Sequence, residues 1–367
     1  MRFVFASYVY SPNFHEPEAW LKRINAYAGI QEALSRTNEV ISIEQINYRG
    51  RHLSGGVDYR FKQYWAVALR FYPRKLNRFI KSLQPDVVVI QSLNFPLQVM
   101  LLRLILGRRV KIIVQNHAER PATGLKKQLQ RLADNYIDAY VFASYAMGVE
   151  WVAAGNLASA AKIHEAMEVS SVFYLVNAEV AKQHTGVTGN PVFLWIGRLN
   201  ENKDPLNVVK AFLRFTQQEP NARLYMIYHT DELLPAIRAM LDANSHLGHN
   251  IVLVGKVPHH DLLYWFNSAD FIISGSHYEG SGAAICEAMS CACVPVVTDI
   301  LSFRMITNNG VCGILYPPGD ENALLEALYK TRQIDLWDKR KRSLEYFKTN
   351  LSFEAIARQI ERIAQSL

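Results

Sequence analysis

Cysteine is scarce in this 367-residue chain: four residues, Cys286, Cys291, Cys293 and Cys312, all in the second half. No Cys-x-x-Cys pair occurs and no histidine stands at ligand spacing from them. Neither a metal centre nor a disulfide framework is indicated, and buried, reduced thiols of a cytosolic protein fit best. Long apolar runs are missing as well. The longest helix-like stretch, FPLQVMLLRLILG (Phe95–Gly107), is broken by Arg103 and falls short of the ~20 residues a bilayer span requires. The opening MRFVFASYVYSP sets Arg2 before a short apolar run but has no small-residue cleavage site. It alternates like a first strand, which argues against a signal peptide. No segment has the bias of a disordered tail, and no nucleic-acid-binding motif is found. These absences leave a globular chain, expected to be cytoplasmic or held peripherally at the inner face of the plasma membrane.

Acidic residues are also unevenly missing. Residues 1–186 carry 23 Lys and Arg against 14 Asp and Glu, whereas residues 187–367 carry 17 against 19. Within residues 51–131 there are 16 basic residues and three acids, Asp58, Asp86 and Glu119. A basic first half joined to a near-neutral second half implies different partners for the two. RFKQYWAVALRFYPRKLNRFIK (residues 60–81) mixes Lys and Arg with Phe, Tyr, Trp and Leu, and KKQLQR (Lys126–Arg131) is a second basic run. This face either meets an anionic membrane surface or is a solvated face whose aromatics belong to the core, with Pro73 interrupting the helix.

What is present is an alternation of β-rich and amphipathic stretches. RFVFASYVY, EVISIEQI, DVVVIQS, VKIIVQN and DAYVFAS read as strands of the first half, with helical stretches starting near Glu16, Arg60, Phe95 and Gly124. VFLWIGRL, ARLYMIYH, NIVLVGKV, DFIISGS, VPVVTDI and CGILYP read as strands of the second. Its helices are expected near Pro205–Gln218, Asp231–Ala243, His259–Asn267, Gly282–Cys291 and Glu321–Thr331. Apolar strands separated by helices predict parallel sheets covered on both faces, hence two doubly wound α/β domains. The Gly-rich, polar AKQHTGVTGNP (Ala181–Pro191) is the expected junction. The domains are set at residues 1–183 and 184–350. The last helix, over residues 351–367, places Phe353, Ile356, Ile360, Ile363 and Leu367 on one stripe that can pack on either domain.

Four stretches fall at strand ends, where open parallel sheets bind ligands. In HYEGSGAAICEAMSC, Glu279 lies in the turn after a strand and Glu287 on the second turn of the next helix. Gly280, Ser281, Gly282 and Ala283 between them leave the helix start bare, and its amides favour an anion. Two carboxylates flanking bare amides can grip a hydroxyl pair at each end of a molecule whose middle is a diphosphate. Otherwise Glu279 merely stabilises a helix N-terminus and Glu287 is a surface acid. In FLWIGRLNENKDP, Arg198 and Lys203 can converge on a diphosphate and neutralise a leaving group, or be two surface cations. In VQNHAERP, His117, Glu119 and Arg120 are polar residues at a switch-point position, where His117 can meet a reacting hydroxyl or serve packing alone. In VGKVPHHD, the backbone at Lys256 and Val257 can read a base edge, while His259 and His260 cap or flank a helix.

Together these residues resemble the retaining glycosyltransferases of family 4, also called glycosyl transferases group 1, over about residues 193–328. IGRLNENKDP is similar to that family's Gly-Arg-Leu…Lys segment. The run from VGKVPHHD through EGSGAAICE to VPVVTD is similar to its nucleotide-sugar site, and GVCGILYPPGDENALLEAL to the segment that follows. The resemblance implies a GT-B fold of two Rossmann-like domains facing a cleft, with the last helix returning to the N-terminal domain. It implies an acceptor-binding first domain and a donor-binding second one, and transfer with retention by front-face attack without a metal or other cofactor. Carried over, Glu279 holds the sugar, Arg198 and Lys203 the diphosphate, Glu287 the ribose, and His117 lies near the reacting centre. Departures are EGSG where EGFG is common, Cys291–Cys293 where small residues occur, and HEAMEVSSVFYL after Lys162 in place of an Asn-Gly segment. The N-terminal Gly-rich loop is replaced by SPNFHEPEAW, which puts Asn13 and His15, with Glu119 and Arg120, on the acceptor side. The expected activity moves a sugar from a UDP- or GDP-sugar to a glycan or lipid-linked acceptor, as in cell-surface polysaccharide or lipopolysaccharide assembly. The alternatives are a sugar-nucleotide epimerase, a phosphorylase and a non-catalytic sugar-nucleotide-binding protein.

Overall fold

The computed structural model describes every residue, Met1–Leu367. The chain divides into two compact units, Met1–Ser170 with Ser352–Leu367, and Ser171–Leu351.

The first unit is built on β1 (Arg2–Ala6), β2 (Glu39–Gln45), β3 (Gly50–Ser54), β4 (Val57–Lys62), β5 (Val87–Gln91), β6 (Lys111–Gln115), β7 (Ala139–Phe142) and β8 (Ile163–Glu165). They form one sheet in the order β3-β4-β2-β1-β5-β6-β7-β8, parallel except for β3, which runs antiparallel to β4. The central strands are apolar on both faces: Phe3, Val4, Val88 and Ile90 are fully shielded, as strands covered by helices must be.

The expectation of a helix from Arg60 is corrected here. Arg60 lies in β4, and β3 and β4 form a hairpin across Gly55 and Gly56, both at positive φ. Val57, Tyr59 and Phe61 alternate inward with Asp58, Arg60 and Lys62, a period of two that overrides the helical reading. Helices begin only at Ala66–Phe71 and Arg74–Ser82, divided at Pro73.

The last helix, Phe353–Ser366, belongs to this unit and buries Ile356, Ile360 and Ile363. It lies on the helix Asn25–Leu34: the Phe353 ring fills the space where a Cβ on Gly29 would come within 2.6 Å. Arg36 pairs with Glu354 at 3.0 Å, and the Asn38 amide donates to Glu361 at 2.7 Å.

The second unit carries β9 (Val192–Gly197), β10 (Arg223–Tyr228), β11 (Ile251–Gly255), β12 (Phe271–Ser274), β13 (Val294–Thr298) and β14 (Ile314–Tyr316). All are parallel, in the order β11-β10-β9-β12-β13-β14. This is the doubly wound order, whose direction of winding reverses beside β9. Phe193 anchors the core, stacked on Phe271 at 5.1 Å and edge-on to Phe212 at 5.3 Å between ring centroids. The unit begins ahead of the Gly-rich stretch Ala181–Pro191. Asn267 explains why: its Oδ1 accepts from the Val176 N–H at 2.9 Å and its Nδ2 donates to the Tyr174 carbonyl at 3.0 Å. The helix Ala178–Thr185 then stacks His184 on Tyr264 at 4.0 Å. All four cysteines are reduced and buried, and burial holds the Cys291 thiol up at about 12, far from a reactive thiolate.

Candidate functional site

Because every strand of the second unit is parallel, the carboxyl ends of β9, β11 and β12 open on one edge of the sheet. The chain leaves β9 at Gly197 with Arg198 exposed. Asn200 then caps a tight turn over Glu201–Lys203, its side chain accepting from the Lys203 N–H at 3.2 Å. Asp204 follows at φ 43°, ψ 53° and caps the helix Pro205–Thr216, accepting from the Asn207 N–H. A left-handed aspartate is uncommon, and here it reverses the chain so that the turn stands clear of the helix.

The turn meets the loop after β12. The His277 N–H donates to the Asn202 carbonyl at 2.8 Å, and Asn202 Nδ2 donates to the Tyr278 carbonyl at 3.0 Å. At Gly275 the two backbones touch, since a Cβ there would lie 3.1 Å from the carbonyl oxygens of Lys203 and Asp204. This docking brings the Lys203 ammonium onto the Glu279 carboxylate as an ion pair whose side chains are 25% and 16% exposed.

Gly280, Ser281 and Gly282 lead from Glu279 into the helix Ala283–Ser290. Gly282 sits at φ 53°, and a Cβ on it would strike Phe303 at 2.8 Å. The helix has neither a side-chain cap nor an acid in its first turn, so its leading N–H groups, beginning at Ala283, remain for a ligand. On the second turn Glu287, 12% exposed, meets Nε2 of His259 at 2.8 Å. That hydrogen bond, against a smaller opposing effect of burial, raises the His259 pKa, aided by the charge of Glu287. His259 thus reaches across to the carboxylate instead of capping its own helix, where no side-chain cap exists. Lys256 is exposed and Val257 half-buried just beyond β11. The edge therefore presents two shielded carboxylates, each partnered by one cationic or titratable group. Each keeps lone pairs for hydroxyls, because one partner does not saturate a carboxylate.

In the first unit, the ends of β1, β2, β5 and β6 surround a crevice of about 320 Å³ whose lining includes His117 and Glu119. Glu119 is largely committed to its own turn: its Oε2 accepts from the His117 N–H at 2.6 Å and from Asn116 Nδ2 at 2.9 Å. Behind His117, Nδ1 pairs with the carboxylate of Glu168, which is 5% exposed. Burial alone would lower the His117 pKa, but the hydrogen bond and charge of Glu168, with the charge of Glu119, raise it on balance. Arg120 is exposed, as are Asn13 and His15. His15 is engaged through Nδ1 with the Asn47 amide at 3.0 Å, and Asn13, His15 and Arg120 do not line the crevice. Glu168 went unnoticed in the sequence although it lies in HEAMEVSS, the segment that departs from the family pattern. Gln31, Glu44 and Gln45, also in the crevice lining, carry no sequence signal beyond being polar in otherwise apolar elements.

Residues 177–348 match the family described as glycosyl transferases group 1. The O-antigen chain mannosyltransferase B of Escherichia coli is 33% identical over 84 residues, 23% of this chain and 22% of that protein. The chain thus spans less than a quarter of the length of that relative. Among solved structures, a glycosyltransferase from Rickettsia africae superposes with a TM-score of 0.72 at 17% identity, covering 100% of this chain and 97% of that one. The Anabaena protein HepE, in complex with UDP and glucose, gives 0.68 at 16% identity over the whole of both chains. At such identities the likeness carries the fold: two Rossmann-like units of the GT-B class.

Proposed function

Since residues 177–348 match the glycosyl transferases group 1 family, we propose that this protein is a retaining glycosyltransferase that moves a sugar from a UDP- or GDP-sugar to a glycan or lipid-linked acceptor. The second unit is the donor-binding domain and the first the acceptor-binding domain. The observation that carries the reading is the docked pair of loops that sets Lys203 against Glu279 beside an uncapped helix start, with Glu287 one turn further on. Spread along one sheet edge, these groups match a nucleotide sugar in order: Glu279 for the sugar hydroxyls, Arg198, Lys203 and the helix amides for the diphosphate, Glu287 for the ribose diol. The backbone of Lys256 and Val257 lies where a base edge is read.

In this reading the acceptor hydroxyl oxygen bonds to the anomeric carbon on the face the leaving group departs from. The carbon–phosphate oxygen bond breaks, and that phosphate oxygen takes the acceptor's proton. Negative charge grows on the diphosphate as the bond breaks, and Arg198, Lys203 and the helix amides stabilise it where it grows. No metal is required, because the cations are supplied by the chain. His117 meets the acceptor hydroxyl. The E. coli relative is named as an O-antigen chain mannosyltransferase, which supports a place in cell-surface polysaccharide or lipopolysaccharide assembly.

A cytoplasmic protein held peripherally at an anionic membrane fits the basic half. A groove of about 990 Å³ in the first unit is lined by Arg49, Arg51, Arg60, Lys62, Arg74, Lys75 and Arg78. Trp65, Phe71 and Tyr72 are exposed beside it, at 83%, 60% and 52%, so these aromatics are not core. No helix is long and apolar enough to cross a membrane. Basic residues with exposed aromatics suit an anionic interface, at about 1 kcal/mol per cation. The transferase reading is tested by NMR of the product formed from a UDP- or GDP-sugar: the anomeric configuration of the donor is retained, and an inverted product refutes the mechanism.

A further inference from the structure

Glu287 is braced more firmly than a surface acid needs. Nε2 of His259 lies 2.8 Å from its Oε1. A carboxylate only accepts, so Nε2 carries a hydrogen whatever the charge of the ring, and Nδ1 is the nitrogen that gains or loses a proton. The imidazole packs on Phe173, 5.0 Å between ring centroids, and Phe173 lies 5.9 Å from the fully buried Phe266.

Phe173 belongs to the run Ser171–Val176, which is pinned at both ends. Ser171 shares a hydrogen bond of 2.8 Å with Ser290, whose hydroxyl donates to the Glu287 carbonyl at 2.7 Å. The Ser171 hydroxyl also accepts from the Phe173 N–H at 2.9 Å. At the other end Asn267 holds Tyr174 and Val176. One segment thus ties the helix that carries Glu287 to the helix that follows His259, and its aromatic ring backs the imidazole.

The charge of that imidazole bears on an anionic ligand. A lone carboxylate beside a diphosphate repels it, and an imidazolium on the carboxylate offsets the repulsion. It does so from Oε1 and leaves the other oxygen for hydroxyls. The hydrogen bond to Glu287 raises the His259 pKa, burial opposes it and the charge of Glu287 adds to it. Residues 171–176 and the helix Leu262–Ser268 bring only the phenols of Tyr174 and Tyr264. The thiols of Cys286 and Cys291, near Glu287, are held protonated by burial. On the turn of His259 itself, Asp261 is engaged by His260 at 3.4 Å and by His184 at 3.8 Å, and Lys256 stands exposed three residues back.

We propose that His259 is a positioning residue for nucleotide binding, which fixes one oxygen of Glu287 so that the other meets the ribose diol and whose positive charge offsets the repulsion between that carboxylate and the diphosphate. This role rests on the donor reading of the sheet edge. Its ring stays charged to a higher pH than a free histidine, so nucleotide affinity is highest below the folded value and falls as pH rises through it.

The test is isothermal titration of the full chain with UDP-glucose and GDP-mannose, whose diphosphates do not titrate between about pH 6 and pH 9. Wild-type affinity for the one that binds falls roughly three- to tenfold across that range, the scale of one charge acting on two from about 10 Å at a wet surface. His259→Gln keeps a hydrogen-bond donor without the charge, so its profile is flat at the wild-type value of high pH. His259→Leu is flat as well and weaker by a further factor of about ten. It also loses most of the preference for a ribonucleoside diphosphate over its 2′-deoxy counterpart, a preference that His259→Gln keeps. The side chain is 53% exposed, so neither substitution disturbs the core, and a histidine serving packing alone moves neither readout. A flat wild-type profile, a His259→Gln profile that slopes like wild type, or a full 2′-hydroxyl preference in His259→Leu overturns the proposal. Nucleotide binding that Glu287→Ala weakens but neither His259 variant alters counts against His259 alone. Absence of binding by either nucleotide sugar at every pH counts against the donor reading, and this role falls with it.

Discussion

Replacing Glu287 with alanine separates a ribose-binding carboxylate from a structural one. The side chain is 12% exposed and its partner is Nε2 of His259, itself 53% exposed. An ion pair with so exposed a partner is worth little, within about 0.5 kcal/mol, so the melting temperature of Glu287→Ala stays close to that of wild type. Binding is another matter. A carboxylate that accepts both ribose hydroxyls makes two charge-assisted hydrogen bonds of about 1.5–3 kcal/mol each. They share one acceptor group and do not add fully, so the expected loss is about 2–4 kcal/mol, or roughly 30- to 1,000-fold in Kd. Isothermal titration with UDP and GDP measures it. A 2′-deoxynucleoside diphosphate supplies the cross-check: it binds more weakly than the ribonucleotide to wild type but equally to Glu287→Ala, because the interaction is already gone. An unchanged Kd in a variant that remains folded, or a 2′-hydroxyl effect that persists in it, refutes the ribose assignment.

Other consequences follow from the same geometry. Lys203→Met, which removes the ammonium paired with Glu279 but keeps the stem, lowers the rate of nucleoside diphosphate release by at least about 100-fold at saturating donor, the scale of losing one preorganised charge on a leaving group; a single-turnover assay that shows no change removes Lys203 from the mechanism. Gly282→Ala adds a Cβ at φ 53° against Phe303 and destabilises by about 1–3 kcal/mol, read from urea unfolding. The His117 pKa is raised in the folded state, so the stabilisation from its pairing with Glu168 is fully present below the unfolded histidine value of about 6.5 and is lost as pH rises through the higher folded value. The stability gap between wild type and Glu168→Gln is therefore larger near pH 6 than near pH 9, and a gap that widens with pH contradicts the pairing. Co-sedimentation with vesicles containing anionic phosphatidylglycerol falls when Arg74, Lys75 and Arg78 are changed to Ser, while neutral vesicles capture neither form; capture that ignores lipid charge leaves the groove merely solvated.

The two units differ in how much of them can be read without coordinates. In the second, all six strands stand out, since each is a short apolar run set off by polar turns, as in VFLWIG and FIIS. In the first, the hairpin of β3 and β4 is hidden. β3 is the half-exposed edge sequence GRHLS, and the Lys and Arg of β4 on its outer face mimic an amphipathic helix, so only the Gly55-Gly56 turn and the strict alternation of Val57, Tyr59 and Phe61 betray it. β8, three residues long, is too short to carry any periodicity. At the site, Arg198, Lys203, Glu279 and Glu287 are visible because strand-end position and spacing mark them. The partners that fix their state are not: His259 on Glu287 lies 28 residues away, and Glu168 on His117 far along another loop. Such pairings are set by tertiary packing, which local pattern does not encode.

The central claim is that the carboxyl edge of the second unit's sheet holds a nucleotide sugar. Crystals soaked with saturating UDP-glucose, and in parallel GDP-mannose, test it most directly. The account predicts difference density in one of them along that edge, with the diphosphate at Arg198, Lys203 and the first amides of the helix Ala283–Ser290, the ribose at Glu287 and the sugar at Glu279. A nucleotide sugar bound elsewhere on the chain, with this edge bare, contradicts it.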